Sequence, residues 1–378
     1  MAEGRNQKSG GALGRALNPG LLSGITFPHW CSLLWENRFR INLRYLPRAL
    51  SITLSSVANS ATGTWEEWRH GKKWRAVEPW APVFVIGLAR SGTTHLHNLL
   101  CTHPGLAYPS MIECRYPLSF LTLGGTVGAL MKSLLGGRRA QDNVAIGPGT
   151  PAEDESALIA LGARSSLLAS SFARSGEHYE RYRYSDGFDK EEARAWIEAL
   201  RTFCGKLAWW HQKPLVFKNP AHTAKIPFLL AAFPEAKIVF IHRHPHDVVR
   251  SRQHAASTVA PLRRLQHGRP LTVDRLIGLV GDSIRHYLRD RELVPRGNLV
   301  EVAYEDLSSD PVGTVERIYR GLELPGFEQG KPALEAYLAG LGCYRKNRHA
   351  ELPESVRDSL LKKCPEWFNE SGYTQKNP

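Results

Sequence analysis

The sequence predicts an α/β protein of three layers, with a central parallel sheet flanked by helices and an N-terminal helical extension. Three observations carry this expectation. Val83-Phe84-Val85-Ile86 is a short β-branched and aromatic run, followed by a Gly-bounded turn and a helix with apolar Leu96, Leu99 and Leu100. Further on, the strand-like Pro214 to Phe217, the apolar Ala221 to Phe233 and the strand-like Lys237 to Ile241 follow in close succession, which is the pattern of a right-handed βαβ unit. The chain also has no internal repeat and no second composition regime, so residues 81–378 read as one domain and residues 1–80 as its extension.

Within the extension, residues 1–20 are rich in Gly, Asn and Lys and are expected to be poorly ordered. Trp30 to Ser60 reads as one or two amphipathic helices, with Trp30, Leu33, Leu34, Phe39 and Leu43 beside Arg38, Arg40 and Arg44. Such helices either pack on the main domain or face a membrane. Trp65 to Pro82 reads as a charged connector. In the domain, Pro117 to Leu135 is apolar and is either a core helix or the lining of a pocket for an apolar acceptor. Thr150-Pro151-Ala152-Glu153 has the form of a capping box, which assigns the acidic run Glu153-Asp154-Glu155 to a helix start. Helices are expected over Lys190 to Trp210, Val248 to Ala255, Arg285 to Glu292 and Pro311 to Leu322, and a fourth strand over Asn298 to Ala303.

Among 378 residues, 42% are apolar and ten are Trp, ample for a folded core. The formal net charge of +13 favours anionic partners. The six cysteines are widely spaced, with no CxxC pair, as in a reduced protein. No signal peptide and no membrane-spanning stretch is evident, so the expected location is cytoplasmic, with peripheral membrane contact through the Trp- and Arg-bearing N-terminal region left open.

The turn after the first strand, Gly87 to Thr94, is a phosphate cradle: a tight loop that aims backbone N–H groups and a helix N-terminus at one spot. Gly87 and Gly92 have Walker A spacing, yet Thr93 stands where the lysine belongs, and the cation is Arg90 within the loop. Lys218 and Arg243 also fall just past strand ends, so a parallel sheet brings Arg90, Lys218 and Arg243 to its C-terminal edge. A P-loop kinase would need the missing lysine and an Asp-ended strand for Mg²⁺, whereas the KIVFI strand ends in His242-Arg243. A nucleic-acid-binding surface would leave the strand-end placement of these cations unexplained. The alternating His242, His244 and His246 are interrupted by Pro245 and have no carboxylate–Cys cluster, which argues against a metal site.

Arg90-Ser91-Gly92-Thr93-Thr94 resembles the 5′-phosphosulfate loop of sulfotransferases that use 3′-phosphoadenosine-5′-phosphosulfate (PAPS), in the form seen in tyrosylprotein sulfotransferases and bacterial relatives. The resemblance covers roughly residues 82–350 and implies a P-loop-like fold that uses PAPS and no metal. It implies cofactor contacts from Arg90, Ser91, Gly92, Thr93 and Thr94, and from Arg243 with Ser251 eight residues on, on the 3′-phosphate. Tyr304 would lie near the adenine, and Arg345 with Lys346 near the 3′-phosphate, although Asn347 replaces the family's glycine there. Lys218 matches the lysine that stabilises the transferred group, with Asn219 where many bacterial relatives have Ser. Glu113, 23 residues after Arg90, matches the region of the catalytic glutamate, and its apolar neighbours Ile112 and Cys114 suit a raised pKa. His222 and Glu155 are the alternative bases, and a salt bridge to Arg115 or another arginine is the structural alternative for Glu113. The acceptor expected is a hydroxyl, less readily an amine, on a small or lipid-like molecule. Nucleic acid is not an expected partner, and the oligomeric state is not legible.

Overall fold

A computed structural model describes residues 16–126, 137–138, 145–259, 262–268, 271–341 and 352–373. The central sheet consists of β1 (Val83–Ile86), β4 (Val216–Lys218), β5 (Lys237–His242) and β6 (Leu299–Ala303), in the order β4-β1-β5-β6. Every pairing among them is parallel. A separate antiparallel ribbon joins β2 (Gly137–Arg138) to β3 (Ala145–Ile146). The four expected strands are thus the sheet, each within two residues of its predicted ends.

Alternation along β1 makes the three layers. Phe84 and Ile86 point into one core with Phe217, Ile238 and Phe240, while Val83 and Val85 point into the other with Val216, Val239 and Ile241. The first face is covered by α7 (Lys190–His211), α8 (Ile226–Ala232) and α10 (Val273–Asp290), through Trp196, Phe203, Leu229 and Ile284 among others. The second is covered by α3 (Thr93–Leu100) and α12 (Pro311–Gly321), through Leu96, Leu99 and Ile318. Each buried aliphatic or aromatic side chain contributes about 1.5–3 kcal/mol of transfer free energy.

The extension forms α1 (Phe27–Glu36) and α2 (Leu46–Arg75). The expected connector from Trp65 is therefore mostly helix. The reason is tertiary: Trp74 lies against Gly205 of α7, where an added Cβ would come within 3.2 Å of its ring, and Gly63 admits the side chain of Leu118 at a comparable distance. A buried ion pair, Lys206 Nζ to Glu66 Oε1 at 2.6 Å, ties α2 to α7. Glu66 also accepts the Thr122 N–H at 2.9 Å, and Lys206 donates to the Pro117 carbonyl at 2.5 Å. Trp30, Ile52 and Phe172 anchor a third cluster that joins both N-terminal helices to the domain.

The expected capping box at Thr150 does not form. The Thr150 hydroxyl turns back to the Gly147 carbonyl at 2.8 Å, and α5 begins only at Glu155, running to Ala160. Capping boxes occur instead at Ser110 with Glu113, opening α4 (Met111–Arg115), and at Asp189 with Glu192, opening α7. Pro151 is held as an extended bridge partner of Ser110, which removes Thr150 from any helix start and frees the acidic run for other partners.

Candidate active site at the C-terminal edge of the sheet

The loop after β1 has left-handed backbone at Gly87, Arg90 and Gly92, with φ of +145°, +79° and +98°. Glycine is required at two of these. A Cβ on Gly87 would sit 2.2 Å from the Ile241 carbonyl, and one on Gly92 would sit 2.3 Å from the Tyr304 ring. Arg90 tolerates the same region at a strain of about 1–2 kcal/mol, which the surrounding bonds must impose. The Thr223 hydroxyl accepts the Gly87 N–H and donates to the Gly87 carbonyl, both at 2.9 Å. The Ser91 hydroxyl, with one proton to donate, lies 2.7 Å from the Leu88 carbonyl and 3.0 Å from the Ile241 carbonyl. Gly92 is the N-cap of α3 and offers no side chain, so no side-chain cap engages the amides of its first turn. Rigid backbone, uncapped amides and a helix dipole suit this loop to an anion.

Cations converge on it. Arg90 Nε donates to Ser251 Oγ at 2.9 Å, joining the loop to α9 (Pro245–Val259). Arg243, one residue past β5, lies over the Tyr304 ring at 4.3 Å and pairs with Asp247 at 2.7 Å. Arg250 pairs with the other Asp247 oxygen at 2.5 Å. Lys218 ends β4 in register with Val85 of β1. Its ammonium is buried and meets Glu153 Oε1 at 2.6 Å, whose side chain is 41% exposed.

Beneath this tier lies a buried polar network. His222 Nε2 faces Asp154 Oδ2 at 2.8 Å, with both side chains fully buried. Asn219 donates from one amide to Asp154 Oδ1 and Glu155 Oε2, each at 2.7 Å, while its carbonyl accepts the Ala221 N–H at 2.9 Å. A serine has a single proton to donate and could not bridge both carboxylates, which gives the Asn219 departure a physical reason. Glu155 also accepts from Ser165 and lies 3.9 Å from Lys225 Nζ. Burial alone would push the Glu155 carboxyl up, but Lys225, His222 and the bonds from Ser165 and Asn219 hold it below its usual range. Burial drives Lys225 downward against the pull of Glu155.

Glu113 has a different setting from these. One oxygen accepts the Ser110 N–H at 2.6 Å and the other meets His211 Nε2 at 2.8 Å, leaving the residue 4% exposed. No arginine is among these partners. The two acidic positions thus exchange the surroundings expected of them: Glu113 closes a capping box, and Glu153 lies on the strand-end lysine. Sequence reasoning placed Glu153 and Asp154 in a cap because Thr-Pro-Ala-Glu fits that motif. The signal that could have redirected it is the acidic triplet itself, three carboxylates needing partners beside a chain rich in strand-end cations. Arg345 and Lys346 lie outside the described residues. Among the described residues, no group of three or more His, Cys, Asp or Glu side chains is placed to hold a metal ion.

A parallel sheet whose first strand feeds an anion loop, with arginine and lysine at neighbouring strand ends, defines a nucleotide-dependent group-transfer enzyme. Comparison with known proteins narrows the class: the sequence model of the sulfotransferase family matches residues 82–329, and the chain belongs to that family. It is 30% identical over 357 residues to the omega-hydroxy-beta-dihydromenaquinone-9 sulfotransferases Stf3 of Mycobacterium bovis and Mycobacterium tuberculosis, spanning 94% of this chain and 92% of theirs. Among solved structures the fold is similar to sulfotransferase STF9 from Mycobacterium avium, with a TM-score of 0.63 at 15% identity over 94% of this chain and 98% of that one. It is also similar to STF1 from Mycobacterium tuberculosis, at 0.58 and 19% over 89% and 92%. The protein is a sulfotransferase with PAPS as its co-substrate, and the anion loop and converging cations are chemically suited to a nucleotide bearing separate phosphate groups.

Proposed function

We propose that the enzyme transfers the sulfuryl group to the hydroxyl of a hydrophobic, lipid-like alcohol, working from the cytoplasm at a membrane's edge. The observation that carries the chemistry is the convergence of Arg90, Lys218 and Arg243 on one sheet edge beside the anion loop. The acceptor class is supported by the relatives, whose name gives a hydroxylated menaquinone as their acceptor.

In this reading Arg243 and Ser251 hold the 3′-phosphate, with Arg345 and Lys346 adding to it. The loop from Arg90 to Thr94 holds the 5′ side, and Tyr304 flanks the base. PAPS supplies an activated sulfuryl group at this edge. Arg90 and Lys218 neutralise charge on the transferring oxygens and on the leaving phosphate oxygen. Lys218 holds Glu153 at the mouth of the site. This favours Glu153 as the group that takes the acceptor proton, since a base must meet its substrate. Glu113, with both oxygens engaged and little exposure, then orients α4, and fully buried His222 supports Asp154.

Incubation with labelled PAPS or labelled ATP, each with an extract of hydrophobic alcohols and with or without Mg²⁺, tests the reading. A sulfated lipid product from PAPS without Mg²⁺ is expected. Transfer confined to water-soluble acceptors would overturn the acceptor class, and Mg²⁺-dependent transfer from ATP would overturn the chemistry.

A further inference from the structure

Helix α2 is buried on one side and carries an apolar ridge on the other. Leu46, Leu50, Leu54, Val57, Trp65 and Trp68 recur at three- and four-residue steps, or a multiple of them, and all are exposed, Leu54 at 65% and Trp68 at 81%. Leu43, at 83%, continues the ridge before the helix begins. A helix of 30 residues is about 45 Å long, so this is a continuous band and not scattered surface leucines. Between Leu46 and Trp65 the sequence contains no Asp or Glu.

Both ends of the band are basic. Arg38, Arg40 and Arg44 precede it, and Arg69, Lys72, Lys73 and Arg75 follow it, all exposed. The leading end is also strained: Arg38 and Phe39 both adopt φ of +53°, and Phe39 is exposed beside the two arginines. Consecutive non-glycine residues in this region persist only where the surrounding structure imposes them, and such residues gather at functional surfaces. Adjoining this turn is a cavity of about 350 Å³ lined by Arg38, Arg40, Arg174 and His178 among others. The two acidic residues of the trailing end are accounted for: Glu66 is buried on Lys206, and Glu67 pairs with Arg75.

We infer that the outer face of α2 is a docking surface for an anionic bilayer. The apolar band enters the boundary between headgroups and acyl chains, tryptophan sits at that boundary, and the flanking arginines and lysines meet lipid phosphates. No helix among the described residues is long and apolar enough to cross a membrane, so the contact lies along the surface. The inner face of the same helix packs against the Leu118 to Thr122 segment through Gly63 and Glu66. Docking would therefore bring this segment, which the sequence offers as the lining of an apolar-acceptor pocket, to about one helix diameter from the bilayer from which a lipid-like alcohol is drawn. In this respect the inference rests on the acceptor reading above.

The test uses the full chain and vesicles that contain no acceptor, so its outcome is independent of that reading. Co-sedimentation is measured with phosphatidylcholine vesicles holding about one-third phosphatidylglycerol, and with phosphatidylcholine alone. The wild-type chain should bind the anionic vesicles, and rising salt should weaken binding. A combined Leu50→Gln, Leu54→Gln and Trp68→Gln variant should lose tenfold or more in partitioning. Its circular dichroism and its affinity for adenosine 3′,5′-bisphosphate should be unchanged, which shows that it folds. An Arg38→Gln, Arg40→Gln and Arg44→Gln variant should lose the preference for anionic vesicles. Equal binding by wild type and ridge variant overturns the proposal. So does a wild type that ignores vesicles and elutes as a dimer which the ridge substitutions dissociate, because the band would then cover a second copy of the chain.

Discussion

Arg90 Nε and Ser251 Oγ are 2.9 Å apart, although 161 residues separate them. One belongs to the loop after β1 and the other to α9 after β5, so this bond links the two halves of the proposed nucleotide site. Ser251→Ala should release the Arg90 side chain while leaving its charge in place. The expected outcome is a loss of adenosine 3′,5′-bisphosphate affinity of about 1 kcal/mol, the scale of one hydrogen bond. Calorimetry checks it, and an unchanged affinity would detach Ser251 from the site.

Arg243 faces Asp247, with its guanidinium over Tyr304. Arg243→Ala should weaken adenosine 3′,5′-bisphosphate by about 2–3 kcal/mol, the scale of a charge-assisted contact. Adenosine 5′-monophosphate should be affected much less. Equal losses for both nucleotides would remove Arg243 from the 3′-phosphate.

Arg90→Ala and Lys218→Ala should each lower turnover about a hundredfold, as expected for one preorganised donor, with smaller losses in nucleotide binding. Single-turnover kinetics separates the two effects. Turnover within a few-fold of wild type in both variants would mean that the transition state is stabilised elsewhere.

The two glutamates give opposite expectations. Glu153→Gln should reduce turnover by roughly 10²–10⁴ and abolish the acidic limb of the pH–rate profile. Glu113→Gln keeps the shape of the capping box but weakens its charge-assisted bonds to Ser110 and His211. It should destabilise the fold by about 1 kcal/mol and leave the acidic limb intact. The reverse pattern would return the base to Glu113.

His246 is pushed down to about 4, first by burial and then by the charge of His244, with Arg357 and Arg250 adding to it and Asp247 opposing. Its unfolded value is near 6.5, so between about 4 and 6.5 the unfolded chain binds a proton that the folded chain does not. This contribution to stability is complete above the unfolded value and is lost as pH falls toward the folded one. The urea midpoint of wild type should therefore drop between pH 7 and pH 5, and His246→Gln should drop less. Parallel midpoints in the two proteins would assign the acid sensitivity to other groups.

The local content of the sequence determined the sheet. Four short apolar runs could only be buried strands, and the connections between them forced parallel pairing and brought Arg90, Lys218 and Arg243 to one edge. The glycine loop was equally legible, because left-handed backbone and close approach leave few other residues possible at Gly87 and Gly92. Carboxylate partners were decided by the tertiary structure. A carboxylate binds whichever donor folding brings to it, so Ser110 and His211 claimed Glu113, while Lys218, Asn219 and His222 claimed the Glu153 to Glu155 run from more than 60 residues away. The length of α2 was settled in the same way, by Glu66 on Lys206 and Trp74 on Gly205. Its amphipathic spacing announced a helix with an apolar side, but a sequence contains two candidate faces wherever leucines and small residues alternate. Which one was buried depended on the close approach that Gly63 allows to Leu118, and that contact left the leucine ridge facing outward.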